Sequence, residues 1–434
     1  MKKHIVIIFI LAVVFLSGCH KEVTHPDTGT PSMFELDIPP DFDWKTIRPV
    51  DVWINGIEDS STRTHTLTIK SVNGGVYYKK KHSVRDDLHI RLEVPSDIES
   101  LFLSYGNLHT ELAIQNDVAA YTFTSSGLKS ASFLAEYTDS DQDGVYDVDD
   151  EYPYDIHRAY NMNYFGDAPV SLSFEDNWPS LGDFDFNDLV LDASLKIVTN
   201  ANDQMVEMYV RLVVKAIGAK FVNGFGFQLK SIPPQAIMEV SGMLLTKDVI
   251  SLNSNGTEAG QSTATIIAFD NPFLLLPHPG NGTGVNTMKK ASFVQPRELL
   301  IKISFMDEGI SGNGQPMYYS EFTMQDEAFN PFIFVDGNRR REIHLPGYVH
   351  TDLAKEAMFS TINDATNPAA GRYYTSVNHL PWAILIPQVF DYPIEKAQIP
   401  AAHLKFAQWA QSGGVVYKNW YKNIPGYRDF TQIY

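Results

Sequence analysis

The sequence holds a single cysteine among 434 residues. A disulfide within the chain is excluded, so stability must come from core burial and any bound metal. Basic residues are also scarce: 34 Lys and Arg stand against 52 Asp and Glu, a net charge of -18. Nucleic acid needs clustered Lys and Arg for its phosphates, and this balance argues against it. No apolar run reaches the roughly 18 residues of a membrane span. Thirteen histidines include no H-x-x-x-H pair, and His344 and His350 in "HLPGYVH" lie too far apart for a tight zinc motif. "GNGTGVNTM" lacks the lysine of a phosphate loop, and no G-x-S-x-G elbow occurs. Acyl transfer and nucleotide chemistry therefore have no visible starting point.

Aromatic residues are plentiful, with 21 Tyr and 26 Phe, which favours strands. "VDVWI", "HTLTIKSV" and "LHIRLEV" alternate apolar and polar residues, the period of half-buried strands. Asn73-Gly74 separates two such runs and predicts a tight hairpin. Longer runs follow at "DLVLDASLKIV", "QMVEMYVRLVVKAI", "STATIIAF" and "ELLIKISF". Helix is expected only at "TDLAKEAMFST" and at "AAHLKFAQWAQSGG", which ends on Gly413-Gly414. "NRRRE", after "FIFVDG", reads as a surface hairpin turn. Trp409 and Trp420 with Tyr417 and Tyr421 read first as core, with sugar stacking as the alternative. The expected fold is mainly β, an N-terminal antiparallel β-sandwich followed by a larger β-sandwich or jelly-roll-like domain with a few short helices.

The N-terminus has Lys2 and Lys3, then the apolar run Ile5 to Leu16, then "LSGC". This matches the lipobox of bacterial lipoproteins. The match implies cleavage before Cys19, the chain's only cysteine, and a lipid on its thiol. Expected boundaries are a signal peptide at 1–18, a tether at 19–41, a small sandwich at 42–135, an aspartate-rich linker at 136–158 and a β-rich domain at 159–434.

The linker carries "DSDQDGVYDVDDEYPYD". Asp139, Asp141, Asp143, Gly144, Asp147 and Asp150 have the order of a calcium loop, alternating oxygens followed by a glycine for the turn. Val145 is expected to lend its backbone carbonyl. Like charges at this density repel unless a cation sits among them, and calcium is the hard dication that oxygen ligands select. An acidic solvated linker is the plainer alternative. Pro153 opposes a following helix. The spacing resembles the aspartate-rich calcium repeats of the thrombospondin type-three kind more than an EF-hand.

A second acidic stretch, "FEDNWPSLGDFDFNDLVLD", holds Glu175, Asp176, Asp183, Asp185, Asn187 and Asp188. On an extended chain Asp183, Asp185 and Asn187 point one way while Phe184 and Phe186 point the other. A second metal site, a simple core-and-surface pattern, and a catalytic carboxylate pair are the three readings. This stretch resembles a signature of LruC-domain lipoproteins of Gram-negative envelopes, as does the tail "HLPWAILIPQVFDYPIEKAQIPAAHLKFAQWAQSGGVVYKNWY". The lipobox and "FDWKT" at Phe42 fit the same layout. The resemblance implies an outer-membrane, lipid-anchored protein and carries no catalytic residues to transfer. The expected function is a calcium-stabilised cell-envelope protein that binds or supports and does not catalyse. Its membrane contact is the N-terminal lipid, and its partner is an envelope glycan or protein. A carbohydrate-binding lipoprotein and a carboxylate-dependent glycan hydrolase are the alternatives.

Overall fold

The alternation of "VDVWI" and "LHIRLEV" is realised as two paired strands, with Val52 opposite Ile90. The computed structural model describes residues 29–58, 64–125, 138–167, 169–218, 220–306 and 316–434. Cys19, the signal peptide at 1–18 and the first part of the expected tether lie outside the described residues. So does most of "SASFLAEYT", the strand-like run that precedes the acidic loop.

The first seven strands are β1 (Ile47–Asn55), β2 (Thr64–Lys70), β3 (Val76–Ser83), β4 (Leu88–Pro95), β5 (Ser100–Tyr105), β6 (Leu108–Ala113) and β7 (Val118–Thr122). They form two sheets, ordered β4-β1-β7 and β3-β2-β5-β6. Asn73-Gly74 turns the β2–β3 hairpin as expected, with Gly74 at φ 102° where a Cβ is disfavoured. Val50, Val52 and Ile90 of one sheet share a hydrophobic cluster with Leu67, Ile69 and Leu101 of the other. One pairing departs from the antiparallel expectation: β7 lies parallel to β1. Parallel neighbours need a long crossover, and β2 to β6 supply it.

The remaining strands are β8 (Tyr160–Asn163), β9 (Val170–Phe174), β10 (Leu189–Thr199), β11 (Met205–Ala216), β12 (Gly224–Leu229), β13 (Ile237–Ser241), β14 (Ala264–Phe269), β15 (Glu298–Phe305), β16 (Phe329–Phe334), β17 (Glu342–His344) and β18 (Ala383–Ile386). A central sheet runs β13-β15-β11-β10-β9-β18, with β8 also on β10, and a further sheet runs β14-β12-β16-β17. Every residue of β9, β12, β14 and β16 is buried, as apolar runs covered on both faces should be. The architecture is mainly β, in four largely antiparallel sheets with a few short helices. Residues Pro31–Tyr434 form one compact unit.

Three local expectations are corrected. "TDLAKEAMFST" makes only a 3-10 turn at Glu356–Met358 with no buried residue, too little apolar contact to hold a helix. "AAHLKFAQWAQSGG" forms two short helices, Ile399–Ala402 and Phe406–Gln411. They break where the fully buried His403 leaves helical geometry, its Nε2 2.9 Å from the Asp391 carbonyl. The "NRRRE" turn exists, but Arg339 is buried rather than on the surface. Its guanidinium meets Glu258 at 2.5 Å and also pairs with Glu342.

A second hydrophobic cluster gathers Met33, Trp44, Phe184, Phe186, Phe406, Trp409 and Trp420. Trp409, Trp420 and Tyr421 are buried in it, so these rings close a core. Within the expected tether, Met33, Leu36 and Ile38 are buried in the same cluster. The backbone N–H of Met33 donates to Gln398 Oε1 at 2.8 Å.

Candidate metal centres

The loop at 139–150 folds through its own aspartates. Gly144 takes φ +89°, the turn that its place in the pattern requires. Asp139 accepts from the N–H of Gln142 at 2.8 Å and of Gly144 at 3.0 Å. Asp141 accepts from Asp143 N–H, Asp143 from Val145 N–H and Asp150 from Tyr152 N–H. Each of these last three carboxylates thus spends one oxygen on the backbone. Their second oxygens, Asp141 Oδ2, Asp143 Oδ2 and Asp150 Oδ2, are buried and have no hydrogen-bond partner. Asp139, Asp141 and Asp143 each place an oxygen within 4.8 Å of the others'. Burial lifts the Asp150 carboxyl to about 6 against the opposing Tyr152 N–H, and Asp143 and Asp141 add to the rise. Burial also raises Asp143.

Asp147 is placed differently. Its oxygens accept from the Thr138 hydroxyl at 2.7 Å and from the Ser140 N–H and hydroxyl, both at 2.8 Å. Those bonds hold its carboxyl below the usual range. They make Asp147 a brace for the loop's entry. The Val145 side chain is buried with Ala159, Tyr160 and Ala201, which anchors the loop beneath its carbonyl. Turns, not a helix, lead from the loop to β8, so the exiting helix of an EF-hand is absent.

Sequence reasoning missed the lysines of β3. Lys79 Nζ donates to the Asp149 carbonyl and to Glu151, both at 2.7 Å. The Lys81 ammonium lies against Gly144, where a Cβ would collide with it. The signal was "YYKKKH", in which alternate lysines share one strand face.

The second cluster sits between β9 and β10. Its backbone is not the extended one expected. Phe184 and Phe186 both adopt left-handed geometry, φ 61° and 52°, and both rings are buried in the C-terminal cluster. Left-handed Phe costs on the order of 1–2 kcal/mol each, and ring burial offsets it. The outcome that alternation predicted is kept by other means: Glu175, Asp183 and Asp185 each bring an oxygen within 4.8 Å of the others'.

Glu175 follows β9 and is completely buried; its N–H donates to the Trp382 carbonyl at 2.8 Å. Glu175 Oε1 accepts from Phe186 N–H at 2.8 Å, while Oε2 has no partner. Asp185 accepts from Asn187 N–H at 3.2 Å and from Lys396 N–H at 2.7 Å. Burial, reinforced by the Asp183 charge, pushes Glu175 up to about 8. Burial and then the Glu175 charge push Asp185 well above the carboxylate range, and burial raises Asp183.

Asp176, Asp188 and Asn187 stand beside this trio. Asp176 N–H donates to Asp188 at 2.9 Å, and Asn223 donates to Asp176 at 2.8 Å. Burial raises both acids, Asp188 furthest, with the Asp176 charge next in effect. Asn187 donates to the Pro393 carbonyl at 3.1 Å, and its buried Oδ1 has no partner.

A third polar group was not foreseen. Arg339, Glu258, Glu342, His344 and Thr351 form one buried network. Burial alone would raise Glu342, but His344 and Arg339 outweigh it and hold the carboxyl near 2. Every acid there has a basic or hydroxyl partner, so it reads as core.

A family model described as a domain of unknown function, DUF4842, matches residues 203–421. Both acidic segments precede that range, so the match says nothing about their ligands. A crystal structure of a "Putative lipoprotein from Bacteroides ovatus" has a similar fold, with TM-score 0.51 and 18% identity over 86% of this chain and 92% of that one. No curated protein matches.

Proposed function

This chain belongs to the DUF4842 family, and from that premise we propose that it is a calcium-stabilised, lipid-anchored protein of the bacterial cell envelope with a binding or supporting role. The observation that carries the calcium reading is the set of three buried, unpartnered oxygens on Asp141, Asp143 and Asp150. A buried carboxylate oxygen without a donor is costly. A calcium ion, which takes 6–8 oxygens at about 2.3–2.6 Å, offsets that cost at the convergent Asp141 and Asp143, and Asp150 is the next carboxylate it would draw in. Asp139 and the Val145 carbonyl complete the set, with Asp147 bracing it. Lys79 of β3, through Asp149 and Glu151, ties the linker to the first sheets.

The anchor is the lipid on Cys19, supported by the lipobox and by the description of the Bacteroides ovatus protein. Assignment to LruC-type lipoproteins, the outer membrane and stacked sandwiches belongs to the same proposal. No catalysis is proposed. Glu175 and Asp185, the acids a hydrolase reading would use, are buried. Neither lines the cavity between Asp41 and His379 nor the one between His157 and Met317.

A carbohydrate reading rests on the first of these cavities, about 390 Å³, where Phe42 and Tyr373 stand beside Asp41, Asp43 and Arg372. Glycan-array binding lost in Tyr373→Ala supports it; an empty array removes it. The calcium reading is tested by the melting temperature of the full chain with calcium and with chelator. At 10 to 100 times the dissociation constant the ion adds about 1.4–2.7 kcal/mol, several degrees for a chain of this size. An unchanged melt would falsify it.

A further inference from the structure

We propose that Glu175, Asp183 and Asp185 hold a second divalent cation, calcium by preference, which clamps the C-terminal segment onto the central sheet. This site is independent of the loop at 139–150, shares no residue with it, and stands or falls separately.

Three carboxylates converge with one oxygen each inside a 4.8 Å span. Three oxygens at most 4.8 Å apart leave a common point no more than about 2.8 Å from each, so an inward shift of a few tenths of an ångström brings all three to the 2.3–2.6 Å of calcium ligands. A cluster of acids alone would not suffice. The second observation is Glu175 Oε2, an atom of a completely buried side chain that meets no donor. It faces the loop that carries the other two acids, because a Cβ on Gly182 would collide with it. The residue before Asp183 is thus one whose missing side chain leaves room for this oxygen. Among the described residues, no ion pair involves Glu175, Asp183 or Asp185. The buried network at Arg339 shows what this chain does with buried acids that have a cationic side chain. Here that partner is missing, and an ion of charge two supplies it.

The donors are all oxygen, which selects a hard cation. Their surroundings fix them in advance. Glu175 is held through Oε1 by Phe186 N–H, and Asp185 through both oxygens by Asn187 and Lys396 N–H. Each bonded oxygen keeps a second lone pair for a metal. Glu175 comes from the end of β9, Asp183 and Asp185 from the following loop, and Lys396 from the C-terminal segment. Phe184 and Phe186 carry the loop into the cluster of Trp44, Phe406 and Trp420. An ion at the trio therefore joins sheet, loop and tail at one point.

The test counts ions. The purified full-length chain is stripped with chelator, passed through a desalting column and titrated with calcium chloride, with bound metal measured by mass spectrometry. Two ions per chain are expected. Glu175→Gln and Asp183→Asn should each reduce the count to one, while Asp141→Asn with Asp143→Asn removes only the other. Asp183 is half-buried at the rim, so D183N serves if E175Q fails to fold. Calcium should also slow hydrogen exchange at the Lys396 amide by at least tenfold in wild type and not in D183N. Two ions retained by both E175Q and D183N would overturn the site. So would a wild-type count of one that the loop variant abolishes. A count of one that D183N abolishes would instead sustain this site and remove the loop.

Discussion

The two acidic regions share a composition and differ in what stands behind it. In the loop at 139–150, Val145 is the one side chain driven into a core, and that core has four residues. Three aspartates there are only half-buried, and the lysines of β3 stand close by. In the stretch at 175–188, Phe184 and Phe186 enter a cluster rich in further buried aromatic residues, among them Trp44, Phe406 and Trp409. Glu175 and Asp185 are buried, and no cationic side chain pairs with them. Half-buried carboxylates can trade a metal for water at a reduced cost, because the solvent screens part of what the ion leaves, even though Asp141 and Asp143 each keep one enclosed oxygen. Buried ones cannot, so their compensation must be in place when the chain folds. On the proposed reading, the loop would be an exchanging site and the buried trio a permanent one.

The largest expected effect tests how the two are anchored. Phe186→Ala should cost about 3–5 kcal/mol, the usual range for a fully buried Phe. Val145→Ala removes two methyl groups and should cost about 2 kcal/mol. Denaturant unfolding in chelator measures both without a metal contribution. Equal costs would remove the distinction drawn between the anchors. A smaller effect separates the two glycines. Gly182→Ala drives a Cβ into Glu175 Oε2, and overpacking of this kind costs about 1–3 kcal/mol; it should also abolish the second ion. Gly144→Ala meets only the flexible end of Lys81 at a positive φ. It should weaken calcium at the loop while leaving the ion count at two under saturation.

How much of this was readable in the residues divides along the same line. Period-two alternation located β1 and β4 because buried and less buried residues alternate along each. The convergence of Asp139, Asp141 and Asp143 was readable because they lie close together in sequence and the turn is made by the loop's own backbone. The trio at Glu175, Asp183 and Asp185 was visible only as a crowd. Six residues were named there, and separating three that converge from Asp176 and Asp188 needed Asn223 and the β9–β10 geometry. Alternation was a sound guide to which side chains part company, but the left-handed turns at Phe184 and Phe186 are set by tertiary burial. The helix at "TDLAKEAMFST" is not realised: Ala354 is buried and Met358 and Phe359 pack against the main core from a 3-10 turn and its flanks. Arg339 misled because "NRRRE" gives no sign of Glu258, which lies 81 residues away.

Acid distinguishes the regions further. His403 packs against Phe390 and Trp420 in the cluster behind the buried trio. Burial lowers its pKa from 6.5 to about 3. Below pH 6.5 the unfolded chain takes up a proton that the folded one refuses, so this group's contribution to stability falls as pH falls, until about pH 3. The slope is about 1.4 kcal/mol per pH unit. His403→Phe keeps the stack and removes the titration, so its stability should fall by about 1 kcal/mol less than wild type between pH 6.5 and 5.5, where the unfolded histidine is only partly protonated. Parallel profiles would show that the histidine is not held neutral by the fold.

The smallest effect concerns Lys81, whose ammonium lies against Gly144 and whose charge acts on Asp143. With calcium bound, that ammonium repels the ion; without calcium, it partly neutralises the aspartates. Lys81→Met should therefore raise calcium affinity at the loop by about two- to fivefold at low salt, since a half-exposed charge is worth about 0.4–1 kcal/mol. The gain should shrink as ionic strength shortens the screening length from about 10 Å at 0.1 M towards 3 Å at 1 M. Affinity at the buried trio should not move, because Lys81 is no neighbour of it. Calorimetric titration of K81M at two salt concentrations reads both. An affinity that falls would mean that the lysine orders the loop and does not compete within it. A rise confined to the loop would mean that this region carries its own stand-in cation, which is what lets it empty; at the buried trio the Lys396 charge acts on Asp183, while no cationic side chain pairs with Glu175 or Asp185.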